Sequence, residues 1–172
     1  AALGSGIYGL PCTAEEAARF TVGTKVKVTG HKAVWSGEEE INPTEVVIEE
    51  GSYIAEAFDA TSMLGTDDLI KHQNQKALFK GLTVKGMGED GTSAFLYNWD
   101  GSGAKGSNCD LYVDVELNGQ TYSFTVESSL CAEGTDVYTA VENLKVGDKI
   151  DVECFLYWYN GVNPHMTSVT VK

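Results

Sequence analysis

Long apolar runs, basic clusters, paired cysteines and catalytic motifs are scarce in this chain, and each scarcity closes a class of function. No stretch approaches the ~18–20 apolar residues that a membrane-spanning helix needs, so no membrane insertion is expected. Only 12 Lys and Arg stand against 25 Asp and Glu, for a net charge of −13. Nucleic-acid binders carry a basic stripe, because neutralised phosphates supply most of their affinity. Here the lysines are scattered and outweighed, and a phosphate backbone is repelled at long range. An acidic surface suits solubility outside the cell and neutral or cationic partners.

The four cysteines, Cys12, Cys109, Cys131 and Cys154, include no C-x-x-C pair, so no zinc site is expected. Their oxidation state stays open. Cys109 and Cys131 flank one predicted hairpin and could meet, whereas Cys154 sits on a strand face that reads as buried, where a free thiol is common. One disulfide with two free thiols and two disulfides are both compatible with this spacing. The chain also lacks G-x-S-x-G, H-E-x-x-H and a complete Walker loop, so no catalytic residue, metal or cofactor is expected. Gly101 to Ser107 is glycine-rich and holds Lys105, yet it lacks the G-K-[ST] order and a following helix; it reads as a flexible hairpin loop. Asp100, Asn108 and Asp110 bracket it with oxygen donors, but EF-hand spacing is absent and Asp and Asn are ordinary turn residues. No signal peptide is visible and the first residue is Ala1, which reads as a mature or trimmed product.

What is present is strand signal. Apolar content of 42% and charged content of 22% are those of a folded globular domain. From Val146-Gly147-Asp148 the chain enters a run in which Ile150, Val152, Cys154, Leu156 and Trp158 alternate with Asp151, Glu153, Phe155, Tyr157 and Tyr159, which is strand spacing. Asn160-Gly161 marks a hairpin, and Thr167 to Val171 returns as a second strand. The chain nearly repeats this block. Val22-Gly23-Thr24-Lys25-Val26 matches Val146-Gly147-Asp148-Lys149-Ile150 at an offset of 124 residues, which persists to Gly37 and Gly161 and brings Trp35 over Tyr159. A helix capped by Thr13 precedes the first copy, with Glu16 completing a capping box, and a helix over Asp136 to Leu144 precedes the second. The repeat is read as a structural duplication.

Between the copies, Gly51 to Phe58 reads as extended and Thr61 to Gln75 as helical. From Lys76 a strand-rich series follows: Leu78 to Lys85, Ala94 to Trp99, Asp110 to Leu117 and Tyr122 to Glu127, with Asn118-Gly119 as the strongest hairpin signal. Taken as three barrel strands, a helix and two strands, residues 76–172 have the connectivity of an OB-fold, a five-stranded barrel. The segments FLYNWDGSG, LNGQTYSF, LKVGDKIDV and WYNGVNPH within Phe79 to Lys172 resemble OB-fold-type modules of secreted and cell-surface proteins of Gram-positive bacteria. That resemblance covers a little over half the chain and implies a barrel and a bacterial extracellular or cell-surface location; it implies no site.

The expected architecture is therefore mainly β with short helices. An OB-like barrel spans 76–172, a connecting helix 61–75, and a related N-terminal half-unit of one helix and two strands 1–60. A half-unit by itself leaves open edges. Three remedies are open: packing on the complete barrel within the chain, a sequence that begins inside a domain, or pairing with a second chain; the first is favoured, with the helix near Leu69 filling the gap. The expected function is non-catalytic binding of an oligosaccharide or protein partner through an aromatic loop surface made of Trp99, Tyr112, Tyr157, Trp158, Tyr159, Asn160, Asn163 and His165, where rings stack and amides hydrogen-bond. Two alternatives stand beside it: a single-stranded nucleic-acid-binding OB domain, which the charge disfavours, and a structural spacer in a larger surface protein. Glu38-Glu39-Glu40 reads as a solvated hairpin end that discourages edge pairing.

Overall fold

The computed structural model describes residues 6–172. The chain runs β1 (Gly6–Ile7), α1 (Ala14–Ala17), β2 (Thr24–Trp35), β3 (Glu38–Ser52) and β4 (Phe58–Asp59). It continues with β5 (Lys76–Val84), β6 (Leu96–Tyr97), β7 (Leu111–Leu117), β8 (Gln120–Val126), α2 (Asp136–Glu142), β9 (Lys149–Trp158) and β10 (Val162–Val171). The protein is mainly β with few short helices.

Five strands close a barrel in the order β5-β9-β10-β8-β7, and the β5–β7 pairing at Thr83 with Glu116 and Val84 with Val115 completes the ring. All neighbours are antiparallel except β8 and β10, which run parallel at Thr125 and His165. This is the predicted OB-like barrel: a three-strand meander, a helix and a closing hairpin. Asn118 and Gly119 both take positive φ (53° and 79°), the backbone a two-residue type I′ turn demands. Alternation then sends Leu111, Val113, Val115, Phe124, Val126, Ile150, Val152, Cys154 and Leu156 inward, all out of solvent contact. Phe79 and Phe124 meet edge to face at 5.4 Å in the centre. Helix α2 covers one end of the barrel with Val137, Tyr138 and Val141, and the Tyr138 hydroxyl donates to the Cys109 carbonyl at 2.8 Å.

The N-terminal hairpin repeats the closing hairpin in its backbone. Gly23 and Gly147 both have φ 91°. Thr24 N–H donates to the Thr21 carbonyl and Asp148 N–H to the Lys145 carbonyl, each at 3.0 Å. In the reverse sense Thr21 N–H donates to Thr24 Oγ1 and Lys145 N–H to Asp148 Oδ2. Both return strands carry a bulge at the same place, where the register skips Thr44 in β3 and Thr167 in β10, and β3 has a second irregularity between Ile48 and Ser52. Both threonine hydroxyls donate to a carbonyl of the partner strand, Thr44 to Thr29 at 3.1 Å and Thr167 to Glu153 at 3.3 Å. The N-cap threonines, Thr13 and Thr135, share an extended backbone. Strand β1 extends the likeness further. It lies parallel to β3, with Ile7 beside Ile41, as β8 lies parallel to β10 with Thr125 beside His165.

Several expectations need correction. Residues 61–75 form two 3-10 stretches, Thr61–Met63 and Asp67–His72, and Leu69 is buried in the barrel's own core cluster, so it does not fill the half-unit. The stretch Ala94 to Trp99 is a strand only at Leu96–Tyr97. Val22, which opens the repeated block, is 84% exposed. All four cysteines are free. The N-terminal hairpin does pack within the chain, through its turn, as described next.

Candidate functional site

Two repeated turns meet head to head. Tyr159 and Trp35, equivalent positions of the two copies, stack with ring centroids 5.2 Å apart and remain half exposed. Their neighbours Ser36 and Asn160, both in the left-handed region (φ 51° and 54°), bond to each other, the Asn160 N–H donating to the Ser36 carbonyl. Gly37 sits so close to the Trp158 ring that an added Cβ would stand 2.9 Å from it. The segment before β5 fastens the contact. Gln73 donates from Nε2 to the Gly37 carbonyl (2.7 Å) and accepts at Oε1 from the Glu39 N–H (3.0 Å). Asn74 Nδ2 donates to the Glu39 carbonyl, while the Asn74 N–H donates to the Leu156 carbonyl.

This docking turns one face of β3 toward β9. Glu38 and Glu40 point into the contact and are buried, whereas Glu39 between them faces outward and pairs with Lys32 at 2.6 Å. The acidic triplet is thus not a solvated end. Neither Glu38 oxygen makes a hydrogen bond of ordinary geometry. Burial pushes its carboxyl above the usual carboxylate range, against the opposing pull of the Asn74 amide and the Trp158 backbone N–H. Beside these carboxylates lies a cleft of about 380 Å³ lined by Tyr8, Trp35, Glu40 and Tyr157. Tyr157 feels both acids: its hydroxyl is pushed up by burial first, then by Glu38 and Glu40.

The cleft opens onto the outer face of the barrel. Leu156 is inward, so Tyr157 is outward by strand alternation, and its ring lies 4.5 Å from that of His165. The outward row continues through Thr125 on β8 to Tyr112 on β7, whose registers place them side by side. Thr125 Oγ1 donates to Asn163 Oδ1 at 3.0 Å. Asn163 Nδ2 then faces His165 Nε2 at 3.4 Å, an arrangement that leaves the imidazole proton on Nδ1. Burial holds the His165 pKa down to about 4, with Asp110 pulling weakly the other way. The ring is therefore neutral at pH 7. Glu127 Oε2 stands 4.0 Å from Nε2, too far for a hydrogen bond.

Of the eight residues named from the sequence, the structure joins Tyr112, Tyr157, Asn163 and His165 on one face. Trp158, Tyr159 and Asn160 belong to the turn-to-turn contact at its edge. Trp99, three-quarters exposed on the loop after β6, makes no ring contact or hydrogen bond with the other seven among the described residues. Tyr8, Trp35, Glu38, Glu40, Gln73 and Asn74 were missed as site residues. For Trp35 a signal existed, since the repeat lays it over Tyr159; for the others none did, because their neighbours arrive from distant segments. The glycine-rich loop is occupied by the protein's own carboxylate: Gly106 and Asn108 N–H groups donate to Glu133. Asp110 is likewise engaged, accepting from the Ser128 N–H and hydroxyl. Among the described residues no cluster of His, Cys, Asp and Glu has metal-site geometry. No family model, curated protein or solved structure matches the chain.

Proposed function

We propose that this protein is an extracellular, non-catalytic binding module of bacterial origin that takes its ligand in the cleft between the two turns. The observation that carries this reading is the cleft's lining: the rings of Tyr8, Trp35 and Tyr157 around the Glu40 carboxylate, with Glu38 behind it. Ring faces and a carboxylate together favour a cationic group, because the ring quadrupole and the acid attract the same charge. A lysine or arginine side chain of a protein partner fits that chemistry, and the net charge of −13 steers a basic partner toward it. A second reading, an oligosaccharide, draws on the half-exposed Trp35–Tyr159 pair, which offers a ring platform to a sugar.

Calorimetric titration with a lysine-rich peptide, a glycan array and a single-stranded oligonucleotide separates the readings. Peptide binding that falls about tenfold or more in Glu40→Gln and in Tyr157→Ala supports the cationic partner. Glycan binding lost on Trp35→Ala and kept in Glu40→Gln supports the sugar. Oligonucleotide binding that collapses with salt would turn the assignment to nucleic acid. If no probe binds, the spacer reading stands.

A further inference from the structure

The N-terminal sheet is built to be covered, and the second copy of the same unit in this chain shows by what. Among residues 6–59 the only buried side chains are Glu38 and Glu40; no apolar residue there is out of solvent. Yet β2 and β3 alternate as a core-forming pair should, with Val26 opposite Ile48 and Val28 opposite Val46, all four half-buried. In the barrel the equivalent positions are Ile150 opposite Val171 and Val152 opposite Val169. Ile150 and Val152 are fully buried because β5, β7 and β8 lie across them. In the half-unit no strand covers Val26 and Val28 among the described residues, and a separate open cavity of about 420 Å³ lies between Leu10, Cys12 and Phe20 and the β3 residues Val46 and Ile48. The edge of β2, which corresponds to the edge of β9 paired with β5, has no strand partner among the described residues.

We propose that β1, α1, β2 and β3 are the closing half of a second barrel, whose free edge and open apolar face receive a three-stranded antiparallel meander. β1 indicates where that meander enters. Ile7 lies beside Ile41 as Thr125 lies beside His165, in the same parallel sense, so β1 occupies the place of the end of the third barrel strand. The first two strands and the start of the third therefore lie ahead of β1 in the same polypeptide. In the complete barrel the corresponding stretch is Lys76–Val126, so the occupant is a segment of roughly 50 residues with aliphatic side chains at its inward positions. Its first strand runs antiparallel to β2, and its third runs parallel to β3 through β1. A second copy of this chain cannot supply it without opening its own barrel, since β5, β7 and β8 are already paired there.

The test is intact-mass analysis of the native product, followed by amide exchange on that product and on residues 1–172 alone. A native product carrying the upstream segment, with β2 amides slowed about 100-fold or more relative to the 172-residue chain, supports the inference. In Val28→Asp that protection is lost while β9 keeps its own. Three results overturn it: a native product that begins at Ala1, β2 amides equally fast in both proteins, or a 172-residue chain that already protects β2 by self-association. The cleft between the turns is not involved, so failure here leaves the ligand titrations unaffected.

Discussion

The hairpins β2–β3 and β9–β10 share a turn glycine, a threonine bulge with the same hydroxyl-to-carbonyl bond and, ahead of them, a helix with threonine at its N-cap position. They differ in what lies across them. Ile150 and Val152 have no solvent contact, while Val26 and Val28 stay half exposed. Hairpin geometry is thus written in local residues and survives without a core, whereas burial comes only from strands distant in sequence. The inward positions also reflect this: Cys154 and Leu156 complete the buried row of β9, but the residues equivalent to them are Gly30 and Lys32, both exposed. Apolar pattern persists at two of four inward positions in the half-unit.

The strongest way to break this comparison is truncation at equivalent sites. Ile150→Ala should cost the barrel ~2–5 kcal/mol in urea denaturation, because a cavity opens in a packed core. Val26→Ala in the 172-residue chain should change the same transition by less than ~0.5 kcal/mol. Equal costs would mean that the hairpins are equally covered in solution.

Acid separates the copies next. His165 is buried and neutral, with a pKa near 4 against 6.5 for a free histidine; the half-unit has Asn42 at that place. The unfolded chain binds the proton first as pH falls. The contribution is therefore complete above pH 6.5 and is lost between 6.5 and 4, by about 3 kcal/mol at most. His165→Gln should flatten that slope in pH-dependent denaturation, and Asn42→Gln should leave it unchanged.

A finer probe is the bulge. Thr167→Val removes a hydroxyl bond inside the barrel and should cost about 1 kcal/mol. Thr44→Val removes the equivalent bond and should register only in local amide exchange of β3. The finest effect concerns the contact between the copies, where Glu38 is buried against the closing hairpin. Since burial raises the Glu38 pKa, the folded contact binds the proton more tightly than the unfolded chain. Its contribution is present at low pH and is lost as pH rises through the folded pKa. Glu38→Gln should remove that pH dependence from the exchange of the Asn160 and Glu39 amides.

Much of the barrel was legible because its signals are local. Asn118-Gly119 makes a type I′ turn on backbone grounds alone, and the alternation from Ile150 to Leu156 gives the inward face of β9 directly. The repeat was legible too, and it extends to hydrogen bonds that no pattern displays. Elsewhere distant packing decided. Thr61 to Gln75 has helical spacing, but Leu69 is drawn into the barrel core and the segment settles as 3-10 turns. Ala94 to Trp99 has strand composition, yet it pairs with β7 over only two residues. Glu38-Glu39-Glu40 has the composition of a solvated tip. Burial of alternate members follows from docking against Trp158 and Asn74, more than 30 residues away.

From its residues alone this chain determined its strands, its turns, the duplicated hairpin and a net charge of −13, because each depends on backbone preference over a few neighbours or on summed charge. Only the tertiary structure decided that the two turns meet, that Tyr157 pairs with His165 and that two acids of a charged triplet lie buried beside three aromatic rings. Those are encounters between segments far apart in sequence, whose geometry arises from barrel closure and turn docking, and no short pattern encodes them.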